Sequence, residues 1–297
     1  MDISAQLVKE LREKTGAGIM DSKKALEATN GNIDEAIKWL REKGIAKAAK
    51  KADRIAAEGL IGIVQKGDKA VIYELNSETD FVANNQKFLD LVKKIGDALV
   101  NSDVKNIEDA MQIKIDGTTL QEVITHAIAT IGEKITLRRF AIVEKNNNQS
   151  FGIYWHSNKR IASLVLFDGK VQEEHGKQVA MHVVAMNPKF VSRDEVSKEY
   201  LAQEKEILTH EAKNDPKNAG KPDNILEKMI EGRLNKQLSE MLLLDQQFVV
   251  DPNFKVSDFV KNNGGTIVKV IRYEVGEGIE KSTVNFAAEV MAQVNKK

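Results

Sequence analysis

The chain has no cysteine. That excludes disulfides, thiol nucleophiles and cysteine metal sites, and it fits a reducing compartment. Net charge is also missing: 44 basic residues stand against 44 acidic ones. A balanced chain lacks the electrostatic footprint of a nucleic-acid or membrane binder, so a macromolecular partner is expected to be protein, with no nucleic acid and no membrane. No apolar run reaches the ~20 residues of a membrane span. The opening stretch Met1–Glu10 is charged too early for a secretory leader, and a cytoplasmic location is expected. No Gly-x-x-x-x-Gly-Lys-Ser/Thr occurs, so the chain is not expected to cradle nucleotide phosphates itself. Five histidines show no metal-ligand spacing, and neither a metal nor a cofactor is expected. Gly276-Glu277-Gly278 lacks a third glycine and a βαβ setting, and reads as a turn.

What is present is an ordinary globular composition, 42% hydrophobic and 30% charged over 297 residues, long enough for at least two domains. Ile3, Leu7 and Leu11 recur at helical spacing. Thr15–Gly18 breaks the pattern, Asp21 is placed to cap a second helix through Leu26, and Ile33, Ile37 and Leu40 stripe a third. Lys43–Arg54 is alanine-rich and basic with no bulky apolar stripe, and reads as a solvated helical linker. Its charge also admits RNA or phosphate contact, against which stand the lack of interleaved aromatics and the neutral whole. Residues 1–54 form this first module.

The middle repeats itself. One unit, 55–145, has strands at Gly59–Val64 and Ala70–Leu75 around Lys66-Gly67-Asp68, a helix to about Val100, a second helix near Leu120–Ile131 and a closing strand Ile135–Val143. The other, 146–275, has Phe151–Trp155, a turn at Ser157–Lys159, Ile161–Phe167, a helix Glu174–Met186 and a closing strand Thr266–Val275. Antiparallel hairpins with helices laid on one face make an α+β sandwich, with Asn146–Gln149 as the hinge between halves. Inserted at about 192–244 are two narrow apolar stripes, Val196, Tyr200, Ile207, Leu208 and Ile225, Met229, Ile230, Leu234, Leu238, Leu242, joined by a polar stretch. They predict a projecting helical hairpin. Residues 276–297 close the chain, with Val284, Phe286, Ala287, Val290 and Met291 on a terminal helix.

Asn76–Val82 sits where the second strand stops and a helical stripe (Phe88, Leu91, Val92, Ile95, Leu99) begins. Ser77 or Thr79 can cap the new helix, and Asp80 suits the positive end of its dipole. Phe81 either closes the end of the core or is displayed with Asp80 as an interface hot spot. Using Glu78 and Asp80 as catalytic carboxylates would need a matched acid, base and pocket, which nothing nearby supplies.

The string Thr79-Asp80-Phe81-Val82 resembles the signature of the elongation factor Ts family, exchange factors for the GTPase elongation factor Tu. Leu7–Leu26 (LVKELREKTGAGIMDSKKAL), Ala180–Phe190 (AMHVVAMNPKF) and Tyr273–Lys281 (YEVGEGIEK) are similar to the family too, in family order, so the resemblance spans nearly the whole chain. It implies a ubiquitin-associated-like three-helix module, an inserted coiled-coil arm, and a non-enzymatic exchange activity. The implied partner is elongation factor Tu, GDP-bound and nucleotide-free, from which Thr79, Asp80, Phe81 and Val82 displace magnesium. Further implied contacts fall at Lys23, Ile131, Gly132, His156 and Val249. Val250 and Ser157–Lys159 depart from the family pattern. Whether the chain forms a homodimer or a 2:2 complex is left open.

Overall fold

The computed structural model describes residues 3–280. The chain divides into two compact units. The first takes residues up to Ile142, Asn158–Arg160 and those from Tyr273; the second takes Val143–Ser157 and Ile161–Arg272. The expected terminal helix around Val284–Met291 lies outside the described residues.

The first unit opens with helices α1 (Ala5–Thr15), α2 (Ile19–Ala28) and α3 (Ile33–Ala49). Ser4 and Asn32 cap α1 and α3 by accepting from Leu7 N and Glu35 N, as short polar residues at these positions should. Leu11, Ala25, Leu26 and Ala36 are fully enclosed, with Ile3, Leu7, Ile33, Ile37 and Leu40 packed around them. Two expectations need correction here. Asp21 does not cap α2, which starts at Ile19 behind Gly18; its carboxylate instead takes the Lys47 ammonium at 2.7 Å. Lys43–Arg54 is not a free linker either. Its first half is the end of α3, and Gly44 lies so close to a later helix that a Cβ there would meet Ala129 at 3.2 Å. Ala48 joins the main core. Small residues lacking a bulky stripe made this face look solvated, whereas they serve close helix approach.

Strands β1 (Glu58–Lys66) and β2 (Lys69–Ser77) pair antiparallel with Lys66 opposite Lys69, so Gly67-Asp68 is a two-residue turn. Then come α4 (Asp80–Ala83), α5 (Gln86–Val100), α6 (Ile107–Met111), the short strands β3 (Lys114–Ile115) and β4 (Thr118–Thr119), α7 (Leu120–Ile131) and β5 (Thr136–Glu144). The sheet order is β1-β2-β5. Val71, Tyr73 and Leu75 alternate onto one face of β2 and pack with Phe88, Leu91, Val92 and Ile95 of α5 and Leu120 and Ile124 of α7. Each such side chain contributes roughly 1.5–3 kcal/mol by leaving water. A capping box fixes the start of α7: Thr119 Oγ1 accepts from Glu122 N, and Glu122 Oε2 accepts from Thr119 N.

The second unit repeats the plan. Antiparallel strands β6 (Gln149–Trp155) and β7 (Ile161–Gly169) are followed by α8 (Glu173–Met186), then α9 (Lys198–Asn214), α10 (Asp223–Met241), α11 (Val256–Asn262) and β8 (Gly265–Glu274), whose last residues count with the first unit. The sheet order is β6-β7-β8. Helix α8 lies directly on β6, since a Cβ on Gly152 would stand 2.3 Å from Gly176 O. Phe167, Val179, Val183, Phe248, Val256 and Val260 fill this core. Helices α9 and α10 form the inserted arm, about 26 and 29 Å long at 1.5 Å per residue. Leu208, Ala212, Ile230, Leu234 and Leu238 make its seam. Ile207 and Ile225 fall outside it and are exposed. The first neighbours Leu208, and the second is five residues before Ile230, so each points well round the helix from the seam at 100° per residue.

Candidate partner-binding site

Strand β2 delivers the chain to a corner that α4 turns in a single helical turn. Thr79 is its N-cap: Oγ1 accepts from Val82 N at 3.4 Å. Ser77, the other capping candidate, donates its hydroxyl to Thr79 O instead. Asn84 Nδ2 donates to Asp80 O at 2.9 Å and closes the turn, after which Asn85 caps α5. One turn has an inside and an outside. Ala83 is buried and Val82 packs on the core, while Asp80 is exposed and Phe81 is 84% exposed. Phe81 is therefore no part of the core. An aromatic ring held almost wholly in water beside a carboxylate is an exception to ordinary burial.

What fixes this corner comes from 54 residues away. Glu133 Oε2 accepts from Glu78 N and Thr79 N, both at 3.0 Å, and its Oε1 accepts the Thr79 hydroxyl at 2.6 Å. Glu78 answers by accepting from Lys134 N at 2.7 Å, and Arg54 Nη1 reaches the same carboxylate at 3.4 Å. Lys134 Nζ in turn donates to Arg54 O. Glu133 and Lys134 follow Gly132, which ends α7 in the left-handed region at φ 94° with its N–H on Ile128 O. A side chain there would be strained. So Ile131 and Gly132, expected as separate contacts, terminate the helix whose next residue braces Thr79. Sequence reading found the two ends of this arrangement and not Glu133. Its one signal was a Gly-Glu-Lys after a helical stripe, which names no partner.

The remaining expected contacts are elsewhere. Lys23 is exposed on α2, paired only loosely with Glu27 at 3.8 Å; such an exposed pair adds little stability. His156 and Val249 belong to the second unit. His156 Nδ1 and the Tyr154 hydroxyl lie 2.9 Å apart at the end of β6. Val249 is 44% exposed, and Val250 and Phe254 in the same loop are also exposed. That loop is not slack. The fully buried His182 takes the Val249 N–H on Nδ1 at 3.1 Å and meets Gln246 Oε1 through Nε2 at 2.9 Å. Since Nδ1 must accept, Nε2 carries the proton. Phe248 is buried against Phe259, with ring centroids 4.2 Å apart.

A profile of the family described as Elongation factor TS matches residues 78–277. The elongation factor Ts of Spiroplasma citri is 64% identical over 296 residues, covering all of both chains. The chain belongs to the elongation factor Ts family. Elongation factor Ts proteins act in translation as nucleotide-exchange factors, and the mixed helix and antiparallel-sheet fold agrees with that membership. The family match begins at Glu78, within the corner described above, and ends at Glu277, just past β8. Among the described residues no helix is long and apolar enough to cross a membrane, and no three His, Asp or Glu side chains are gathered as a metal site.

Proposed function

We propose that this chain binds elongation factor Tu in its GDP-bound and nucleotide-free forms, displaces the magnesium ion that helps hold GDP, and so promotes GDP release. The observation that carries the reading is Phe81, 84% exposed at the apex of a one-turn helix. Exchange of this kind needs no catalytic group. A factor that binds the nucleotide-free GTPase more tightly than the loaded one must weaken GDP by the same coupling factor. Burying the Phe81 ring in an apolar pocket of the partner would supply about 1.5–3 kcal/mol, or roughly 10- to 150-fold in affinity for the rearranged state. Asp80, first residue of α4 and exposed beside the ring, would set a negative charge against the magnesium site.

Lys23, Ile131, Gly132, His156 and Val249 are proposed as secondary contacts, and 1–54, 55–145, 146–275 and 276–297 as the modules of the chain. The protein is proposed to act in the cytoplasm, without nucleic acid or membrane. The RNA reading of Lys43–Arg54 loses ground because Lys47 is engaged by Asp21 and Gly44 is packed. The test is release of labelled GDP from elongation factor Tu with and without this protein. Phe81→Ala is expected to leave the thermal midpoint nearly unchanged while exchange falls at least tenfold, in line with a hot-spot truncation. A midpoint lowered by many degrees, with full exchange per folded molecule, would overturn the reading.

A further inference from the structure

Helix α4 has four residues, far fewer than a helix needs to hold itself together. The Phe81 ring is almost wholly in water, so its place in space is set by the backbone of 78–83 alone. Inward, that backbone rests on Ala83 and Val82. At its entry Ser77 Oγ donates to Thr79 O and Glu78 accepts from Lys134 N, but a single side chain gathers the N–H and hydroxyl donors of 78–79. The two Glu133 oxygens collect three donors, Glu78 N, Thr79 N and Thr79 Oγ1, within 3.0 Å. Because the Thr79 hydroxyl spends its proton on Glu133, its lone pairs are turned toward Val82 N, the capping bond of the turn. Glu133 is itself aimed by Gly132, whose left-handed conformation bends the chain away from α7.

We infer that Glu133 is a positioning residue for exchange: it holds the 78–83 turn, and with it Phe81, in the geometry that the partner receives. The proposal rests on the reading of Phe81 as the interface anchor. Without the carboxylate the turn samples other arrangements, and only the fraction in the docking geometry binds. The apparent dissociation constant then rises as the inverse of that fraction. The rate at saturating factor is unaffected, because the docked complex is the same.

The experiment is GDP release from elongation factor Tu measured against factor concentration for wild type, Glu133→Ala, Glu133→Gln, Phe81→Ala and the double variant Glu133→Ala/Phe81→Ala. Glu133→Ala is expected to raise the half-maximal concentration roughly tenfold at an unchanged maximal rate, as a competent fraction near one tenth dictates. Glutamine keeps an oxygen for the two backbone N–H groups and sets its amide against the Thr79 oxygen, so Glu133→Gln is expected within about twofold of wild type. The double variant is expected to be no worse than Phe81→Ala, since groups acting through one another are not additive. Should alanine at 133 fail to fold, Glu133→Asp keeps the charge and withdraws the carboxylate by one methylene, and is expected to raise the half-maximal concentration in the same way. A lowered maximal rate, an equal loss in Glu133→Gln, or additivity with Phe81→Ala would each overturn the positioning role. A wild-type response in Phe81→Ala alone would instead sink the reading it rests on.

Discussion

A carboxylate with no solvent exposure must have its partners in place, and Glu74 on β2 has them. Arg138 Nη1 and Arg139 Nε lie at 3.1 and 2.6 Å, with Gly276 N and Asn76 Nδ2 at 2.8 and 2.9 Å. Glu74→Ala is expected to cost about 3 kcal/mol in denaturant unfolding, the low end for a broken buried pair, because both arginines are about a quarter exposed and can turn to water. Glu74→Ala with unchanged stability would show that the arginines need no acceptor. His182 makes the other residue-scale prediction. Burial holds its pKa below the usual 6.5, offset in part by the bond to Gln246. The unfolded chain therefore binds the proton more readily than the folded one, and stability is lost as pH falls through 6.5. His126 shifts the same way for the same first reason. The unfolding midpoint is expected to fall between about pH 7 and about pH 5.5. Asparagine keeps an acceptor near the Nδ1 position but cannot titrate, so His182→Asn is expected to flatten that slope. An undiminished slope in His182→Asn would assign the loss to other groups.

Helices and strands were legible to the extent that their signals were local. The hairpin turn Gly67-Asp68, the stripe of α5 and the seam of α10 follow directly from spacing, and the structure places them within a residue or two. Helix α11 escaped although Val256, Phe259 and Val260 stand at helical spacing, because seven residues make a weak stripe. The α3 face on α7 escaped because alanine and glycine mark close approach as readily as exposure. The inserted arm is the element that separates most cleanly from its unit. Its seam is internal, and its base is closed by Lys189 N on Met241 O, Leu243 N on Phe190 O and Leu244 N on Val191 O, at 3.0, 2.9 and 3.1 Å. Replacing 193–240 with a short turn-forming linker is expected to give a folded protein that retains most of its exchange activity. Leu242 and Leu243 must stay, since both are buried. Global unfolding of this deletion, seen by circular dichroism, would make the arm part of the core.

At the scale of the whole molecule, the sequence contains no Gly-x-x-x-x-Gly-Lys-Ser/Thr motif with which to cradle nucleotide phosphates. Titration calorimetry of the isolated protein with GDP or GTP is accordingly expected to register no binding at micromolar concentrations, and a measurable site would contradict an exchange mechanism that works only through the partner. The same scale explains which part of the proposed binding corner could be read in advance. Thr79, Asp80, Phe81 and Val82 are contiguous and announce themselves; Glu133 lies beyond three further helices and a hairpin, and no local pattern connects it to them. That separation has a consequence for inhibition. A synthetic peptide copying residues 76–84 carries the aromatic ring and the charge but leaves the brace behind, so ordering a short flexible segment would consume most of what the ring gains on docking. Such a peptide should compete poorly with the protein for its GTPase, whereas a miniature that staples the Thr79 end of the turn in place of Glu133 should recover much of the lost competition.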